Sequence, residues 1–158
     1  TLHTNDAPSA LTRLIDMGVP PYLVASSILA VLAQRLVRVV CTKCKTAFKP
    51  SKTVLDAAGI TPEMAKNANF VRGRGCSYCQ RKGYRGRMAL FEIMLVTAKI
   101  RELIFASSTS TEIRKMAIEQ GMSTLYIDGI RKAIEGVTTL EEVYRVAKKT
   151  EQDEGIVI

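Results

Sequence analysis

The chain has 158 residues, of which 47% are apolar, enough for one ordinary domain or two small ones with a packed core. The longest apolar stretch near its start, residues 22–33, is too short to cross a bilayer. These features indicate a soluble protein of a reducing compartment. They disfavour a transmembrane segment and a small secreted domain that is stabilised by disulfides.

The formal net charge is +8, and it is unevenly distributed. Residues 35–87 carry 13 Lys or Arg but only Asp56 and Glu63, a formal +11. Such a segment suits nucleic acid, anionic lipid, nucleotide phosphates or an acidic protein. No nucleic acid is expected as the main partner, because the few aromatic residues here do not alternate with the basic ones as a stacking surface requires.

The first 40 residues predict the end of a strand, two helices and a second strand. Asn5 or Asp6 is a suitable N-cap for the first helix. A pair of prolines opens the second helix, from Tyr22 to about Ala30, which is apolar on nearly every face and is therefore expected to be buried. Residues 34–40 include β-branched residues in partial alternation, which predicts a strand.

The four cysteines form two pairs, Cys41-Thr-Lys-Cys44 and Cys76-Ser-Tyr-Cys79. Two thiolates in one C-x-x-C turn can both reach a zinc ion at about 2.3 Å, so the two pairs complete a tetrahedral site. The pairs are separated by 31 residues, which must form a folded insertion. Two disulfides or four unrelated thiols are the alternatives, disfavoured by the length and apolar content of the chain.

The surroundings of the two pairs also suit thiolates. Gly75 and Gly83 supply the backbone freedom that tight ligand turns use. Basic residues that offset the negative charge of four sulfurs are Lys43, Lys45, Arg74, Arg81 and Lys82. Since sulfur fills all four positions, no position remains for water or substrate, and we expect a structural metal.

The remaining elements are predicted from capping residues and from Gly and Pro breaks. Between the pairs, residues 53–58 predict a short helix and Thr61-Pro62 begins another. Residues 88–95 predict a strand, after which the chain is helical. Predicted helix starts in this last part are Thr97, Thr109-x-x-Glu112 and Thr138-x-x-Glu141.

Several segments also resemble a known family when they are taken in order. They are Thr1-Leu2-His3-Thr4-Asn5-Asp6-Ala7, residues 12–19 and 33–38, Gly75-Cys76-x-x-Cys79, Gly83-Tyr84-x-Gly86-Arg87 with Glu92, and residues 136–143. This series resembles the secretion ATPases that drive type II secretion and type IV pilus assembly. The resemblance covers essentially the whole chain, and its specificity comes from the order and spacing of the segments.

The resemblance implies an α+β fold with three parts. Residues 1–40 would end a RecA-like P-loop ATPase core, residues 41–87 would form the tetracysteine zinc module, and residues 88–158 would form a strand and a helical C-terminal subdomain. The intact protein would be a homo-hexameric motor that uses ATP and Mg. It would be cytoplasmic and peripherally associated with the inner membrane through a platform protein and other secretion or pilus components.

The phosphate-binding part of that motor has no counterpart in this sequence. The pattern G-x-x-x-x-G-K-[ST] does not occur, and Gly73-Arg74-Gly75 is too short for it. We therefore expect the chain to be the C-terminal part of a longer ATPase and to be inactive alone, because phosphoryl transfer requires held phosphates and magnesium.

His3 is the candidate catalytic residue. From residue type alone it is a polar residue at a strand end, whereas its match to the family's histidine box implies a place near the terminal phosphate of ATP. The roles of Arg13, Arg35 and Arg38 stay open, as contacts to phosphate, to a neighbouring subunit or to solvent. The competing interpretations are a stand-alone zinc module that binds nucleic acid and a purely structural interaction domain.

Overall fold

The computed structural model describes residues 4–153, and it combines helices with two small sheets, which confirms the predicted α+β class. In chain order the elements are α1 (Ala7–Asp16), α2 (Pro21–Ser27), β1 (Ala30–Val40), β2 (Lys45–Ala47), α3 (Lys52–Ala58), α4 (Pro62–Asn67), β3 (Val71–Gly73), β4 (Tyr84–Leu95), α5 (Ala98–Phe105), α6 (Ser110–Glu119), α7 (Leu125–Ile134) and α8 (Leu140–Val146). Within this described range, every helix is too short or too polar to cross a membrane.

Each sheet is a pair of antiparallel strands. In the first sheet, backbone hydrogen bonds join Val96 to Leu29 at one end and Cys41 to Gly83 at the other, so β1 and β4 run in opposite directions. In the second sheet, β2 pairs with β3 and Lys45 lies opposite Gly73. The second pairing brings together two segments that are far apart in the sequence.

The described residues form two compact units, and β1 and β4 contribute to both. The first unit contains the described residues up to Gln34 together with Phe91–Leu125. The second contains Arg35–Leu90 and the described residues from Tyr126 onward. All four cysteines belong to the second unit.

The first unit buries one apolar stripe from each of its helices. Asp6 caps α1 by accepting a hydrogen bond from the Ser9 N–H, and Thr109 forms the predicted capping box with Glu112. These caps fix where each helix begins and therefore which face turns inward. The buried cluster consists of Ala7, Leu11, Val24, Ala25, Met94, Val96, Ile100, Ile104, Ile113, Ala117 and Met122.

In the second unit, α7 packs closely on α8 and β4. A Cβ added at Gly129 would lie 2.6 Å from Val143 Cγ1 and 3.1 Å from Leu90 Cδ1, so the glycine permits this approach. The Tyr126 hydroxyl donates to the Ala58 carbonyl at 3.2 Å and joins α7 to the end of α3. Helix α7 is thus held to these neighbours by its inward face.

Three predicted elements have different lengths in the structure. The second helix ends at Ser27, before Ala30, and it buries Val24 and Ala25 while Tyr22 remains 59% exposed. The prediction that this helix is buried on nearly every side is therefore wrong, because the seven-residue helix packs through one face only. Strands β1 and β4 each begin four residues earlier than predicted, since their mutual pairing satisfies backbone groups beyond the β-branched segments.

Candidate metal centre

The first cysteine turn follows directly from β1. The Cys44 N–H donates to the Cys41 carbonyl at 3.2 Å, which closes the turn. The Cys41 N–H donates to the Gly83 carbonyl at 2.9 Å, and the Arg74 N–H donates to the Cys44 carbonyl at 3.0 Å. Backbone bonds from the second cysteine region therefore hold the first turn at both ends.

The second turn is a short 3-10 segment, Ser77–Cys79, after an extended Cys76. The Arg81 N–H donates to the Cys76 carbonyl at 2.8 Å, and Gln80 and Arg81 adopt φ values of 53° and 60°. Gly75 has φ +87°, and a Cβ there would lie 2.5 Å from the Arg81 carbonyl oxygen. This turn folds back on its own start, which confirms the predicted need for glycine at position 75.

Close backbone contact between two glycines brings the two halves of the centre together. A Cβ on Gly83 would lie 2.6 Å from the Gly73 carbonyl oxygen, and one on Gly73 would lie 2.0 Å from the Gly83 carbonyl oxygen. Gly73 ends β3, which is paired with β2 just after the first turn. The long insertion therefore acts as a loop whose two ends are fastened by β2 and β3, so the wide sequence spacing still gives a compact cysteine cluster.

The four sulfur atoms lie within 4.8 Å of one another. Cys41 Sγ is 3.9 Å from Cys76 Sγ, Cys44 Sγ is 3.8 Å from Cys79 Sγ, and Cys76 Sγ is 3.7 Å from Cys79 Sγ. A tetrahedron of thiolates about 2.3 Å from zinc has edges of about 3.8 Å. These sulfurs are much farther apart than the roughly 2.05 Å of a disulfide bond, and all four cysteines are free. The cluster can hold a metal ion.

Backbone N–H groups point at two of the sulfurs. Cys79 Sγ accepts from Cys76 N–H at 3.2 Å and from Gly83 N–H at 3.3 Å, and Cys44 Sγ accepts from Gly75 N–H at 3.3 Å. The Cys76 N–H bond lowers the pKa of Cys79 to about 6 against the opposing effect of burial. At Cys44, desolvation raises the pKa to about 12 despite the Gly75 bond. The backbone thus favours a thiolate at Cys79, whereas a bound cation would be required to hold Cys44 ionised.

The surface around the centre is basic, as the composition predicted. Five basic residues flanking the cysteines are exposed: Lys43, Lys45, Arg74, Arg81 and Lys82. Arg85 lies over the ring of Tyr78, 4.0 Å from its centroid, and donates to the Tyr78 carbonyl at 2.6 Å. A cation–aromatic pair therefore lies at the surface of the second cysteine turn.

The other residues singled out from the sequence do not join the cysteine cluster. His3 lies outside the described residues, so its role stays a prediction. Arg13 is exposed in the last turn of α1, and Arg35 is half-buried on β1. Arg38 has a defined partner, because its guanidinium contacts Glu142 at 2.6 Å and lies 4.4 Å from the centroid of the Tyr84 ring.

Glu142 is the main polar residue that the sequence interpretation missed. Its side chain is 2% exposed, and it accepts hydrogen bonds from Arg38 and Arg145. Burial alone would raise the pKa of this carboxyl, but the bonds from Arg38 and Arg145 outweigh it and lower the pKa to about 2. The signal available in the sequence was Arg145, which lies three residues after Glu142 on the same helix and can pair with it.

The predicted start of the last helix is displaced by one residue. Thr139, not Thr138, caps α8 by accepting from the Glu142 N–H, while the Thr138 hydroxyl donates to the Arg38 carbonyl at 2.8 Å. The Tyr84 hydroxyl also lies 2.9 Å from Thr139 Oγ1. Both threonines thus join the Arg38 and Glu142 network, and this long-range contact decides which one becomes the cap.

Glu92 is a second buried carboxyl, within the first unit. It is 1% exposed, and its two oxygens accept from the Ala7 N–H at 2.7 Å and the Leu125 N–H at 3.2 Å. Burial raises its pKa, while these two bonds oppose the rise. Glu92 therefore provides an acceptor for the backbone N–H groups of Ala7 and Leu125, two helix-starting residues of the first unit.

Comparison with known proteins identifies the family. A family model described as "Type II/IV secretion system protein" matches residues 1–145. The chain is 46% identical over 143 residues to the type IV pilus assembly ATPase PilB of Thermus thermophilus, covering 90% of this chain and 16% of that protein. It is 44% identical over 149 residues to the type II secretion system protein E of Pseudomonas aeruginosa, covering 94% of this chain and 29% of that protein.

A third relative, the type IV pilus assembly ATPase PilB of Myxococcus xanthus, is 42% identical over 147 residues, covering 90% of this chain and 25% of its own length. The chain thus spans less than a third of the length of each of these curated relatives. The family-model match nevertheless includes residues of both units, and all four cysteines lie within its range of residues 1–145. The chain belongs to the type II/IV secretion system protein family.

Proposed function

We propose that this chain is part of a cytoplasmic, hexameric ATPase that powers type II protein secretion or type IV pilus assembly. The match of residues 1–145 to the family, with relatives named as pilus assembly ATPases, is the observation that carries the proposal. Reading the coding sequence upstream of Thr1 is the first test. A G-x-x-x-x-G-K-[ST] loop there supports the motor, and a continuous upstream region without one contradicts it.

In that protein His3 would lie near the terminal phosphate of ATP, where an imidazole can donate a hydrogen bond. The test uses the longer protein, with ATP and Mg. His3→Ala should lower kcat for ATP hydrolysis, whereas Lys99→Ala, an exposed change on α5, should not. Equal activity of the two variants would remove His3 from the site. The present chain, which has no phosphate-binding loop pattern, should not hydrolyse ATP by itself.

The four cysteines are proposed to bind one zinc ion as a structural centre. The support is the sulfur geometry, whose 3.7–3.9 Å separations suit a four-thiolate tetrahedron. Bound zinc would cross-link β1, the insertion and β4, and would neutralise part of the thiolate charge. Metal analysis of the purified chain should give one zinc per molecule, and a chelator should unfold the second unit. A metal-free chain with unchanged folding would contradict this role.

The exposed basic lobe around the centre is proposed to dock on an acidic surface of a neighbouring subunit or of an inner-membrane platform protein. Its support is the formal +11 of residues 35–87 and the exposure of the basic side chains beside the cysteines. Replacing Lys43, Lys45, Arg74 and Arg81 together in the longer protein should weaken hexamer formation or platform binding. Unchanged assembly and binding would contradict it.

A further inference from the structure

The insertion between the two cysteine pairs contains an apolar groove of about 560 Å³, within the second unit. Phe48, Leu55, Ile60 and Phe70 line its apolar part. Ile60 and Phe70 are buried, whereas Phe48 and Leu55 are half-buried and face the groove. Its volume lies within the range of about 300–1,000 Å³ that is typical of binding pockets.

Local backbone structure keeps this groove open. The Phe48 N–H donates to the Phe70 carbonyl at 2.9 Å, which extends the β2–β3 pair to one wall. Ser51 caps α3 and Thr61 caps α4, and Gly59 ends α3 with φ +71°. The two short helices therefore leave the strands at defined points. The groove lies between these two capped helices and the end of the β2–β3 pair, within the folded insertion.

Positive charge lies around the groove. Lys49, Lys52 and Lys66 line it and are exposed, whereas Asp56 is the single acidic residue among its described lining residues. Arg72 adds a cation close by, with its guanidinium 5.2 Å from the centroid of the Phe48 ring. The lining combines an apolar interior with a cationic margin. The buried side chains of the lining are all apolar, so none of them can orient a small polar ligand by hydrogen bonding.

We propose that this groove binds a short acidic, amphipathic segment of a partner protein. Apolar side chains of the segment would occupy the space between Phe48, Leu55 and Phe70, and its carboxylates would lie beside Lys49, Lys52 and Lys66. When an amphipathic segment binds in a groove, apolar contacts supply most of the affinity, and opposite charges determine its specificity and orientation. The groove residues differ from the four basic residues of the docking lobe, so the two proposals can fail separately.

A displayed library of random 16-residue peptides tests the proposal on the whole purified chain. Enriched peptides should carry Asp or Glu next to apolar residues at helical or alternating spacing. They should bind the triple charge-reversal variant Lys49→Glu, Lys52→Glu, Lys66→Glu at least about tenfold more weakly at low salt. A control with the same net charge, reversed at the exposed positions Lys99, Lys115 and Lys148, should keep the affinity.

The position of binding is measured independently by methyl NMR with an enriched peptide. Signals of Leu55 and Ile60 should shift, while those of Ile104 and Ile113 in the core of the first unit should not. Enriched peptides that are basic, equal binding to both triple variants, shifts confined to the first unit, or no enrichment would each overturn the proposal. Binding of phosphatidylglycerol vesicles through the same three lysines, without peptide binding, would replace a protein partner by a lipid surface.

Discussion

Replacing Glu142 by glutamine tests whether the buried carboxylate holds β1 and α8 together. The substitution keeps the shape of the side chain but removes the charge that Arg38 and Arg145 share. The neighbouring residue Glu141 is exposed on the same helix, so Glu141→Gln is the matched control.

The expected magnitude follows from the carboxyl pKa. A fall from an ordinary value of 4.5 to about 2 in the folded state corresponds to about 3 kcal/mol of stabilisation by the ionised form. The side chains of Arg38 and Arg145 are 46% and 51% exposed, so solvent screens part of that interaction. We therefore expect Glu142→Gln to lower the free energy of unfolding by about 2 kcal/mol at neutral pH.

The pH dependence has a definite sign. Because folding lowers this pKa, the stabilisation is fully present above the unfolded-state value and is lost as pH falls from about 4.5 towards about 2. Urea unfolding, followed by circular dichroism from neutral pH to pH 3, should show a steeper acid loss in the parent chain than in Glu142→Gln. Equal free energies and equal pH slopes for Glu142→Gln and Glu141→Gln would refute the reasoning.

Three further predictions concern other parts of the molecule. Burial raises the pKa of Glu92, so the parent chain should lose stability as pH rises above about 4.5. In thermal unfolding, Glu92→Gln should lack this loss, whereas the control Glu102→Gln, at an exposed position, should keep it. If Glu92→Gln keeps the loss, ionisation of the buried carboxyl is not its cause. Gly83→Ala should weaken zinc binding in a competition titration much more than Gly86→Ala. Both glycines have positive φ, but only a Cβ at position 83 would lie 2.6 Å from a backbone carbonyl oxygen, that of Gly73. Equal zinc affinities would contradict the close approach of the two halves of the centre. Ile93 is 52% exposed on β4, so we expect concentration-dependent association that Ile93→Lys reduces, and light scattering that shows a monomer of the parent chain at all concentrations would oppose this.

The cysteine centre illustrates how far a local pattern can be read. Two C-x-x-C turns predicted a four-sulfur cluster, because each turn brings its own pair of sulfurs together regardless of the rest of the fold. The spacing between the pairs did not predict how they meet. That depends on β2 pairing with β3 and on the contact between Gly73 and Gly83, which join residues distant in the sequence.

The groove in the insertion likewise combines elements that the sequence predicted with a tertiary arrangement that it did not predict. Short helices around residues 53–58 and after Thr61-Pro62 were predicted, and α3 and α4 occupy those places. No sequence period predicted an apolar space between them, because the space exists only where the helices meet Phe48 and Phe70 at the end of the strand pair. The local signals predicted both helices correctly but did not predict the candidate binding surface between them.

By itself the sequence determined the mixed class of the fold, most helix starts, the cysteine pairs and the family resemblance, since caps, turns and motifs depend on residues close together in the chain. Only the tertiary structure decided that Thr139 caps α8, that Glu142 pairs with Arg38, and how long β1 and β4 are. The Arg38 and Glu142 contact joins positions 104 residues apart. The contact stabilises the fold because its hydrogen bonds and opposite charges outweigh the cost of burying the carboxylate. Neither the burial nor the partner is encoded within a local window.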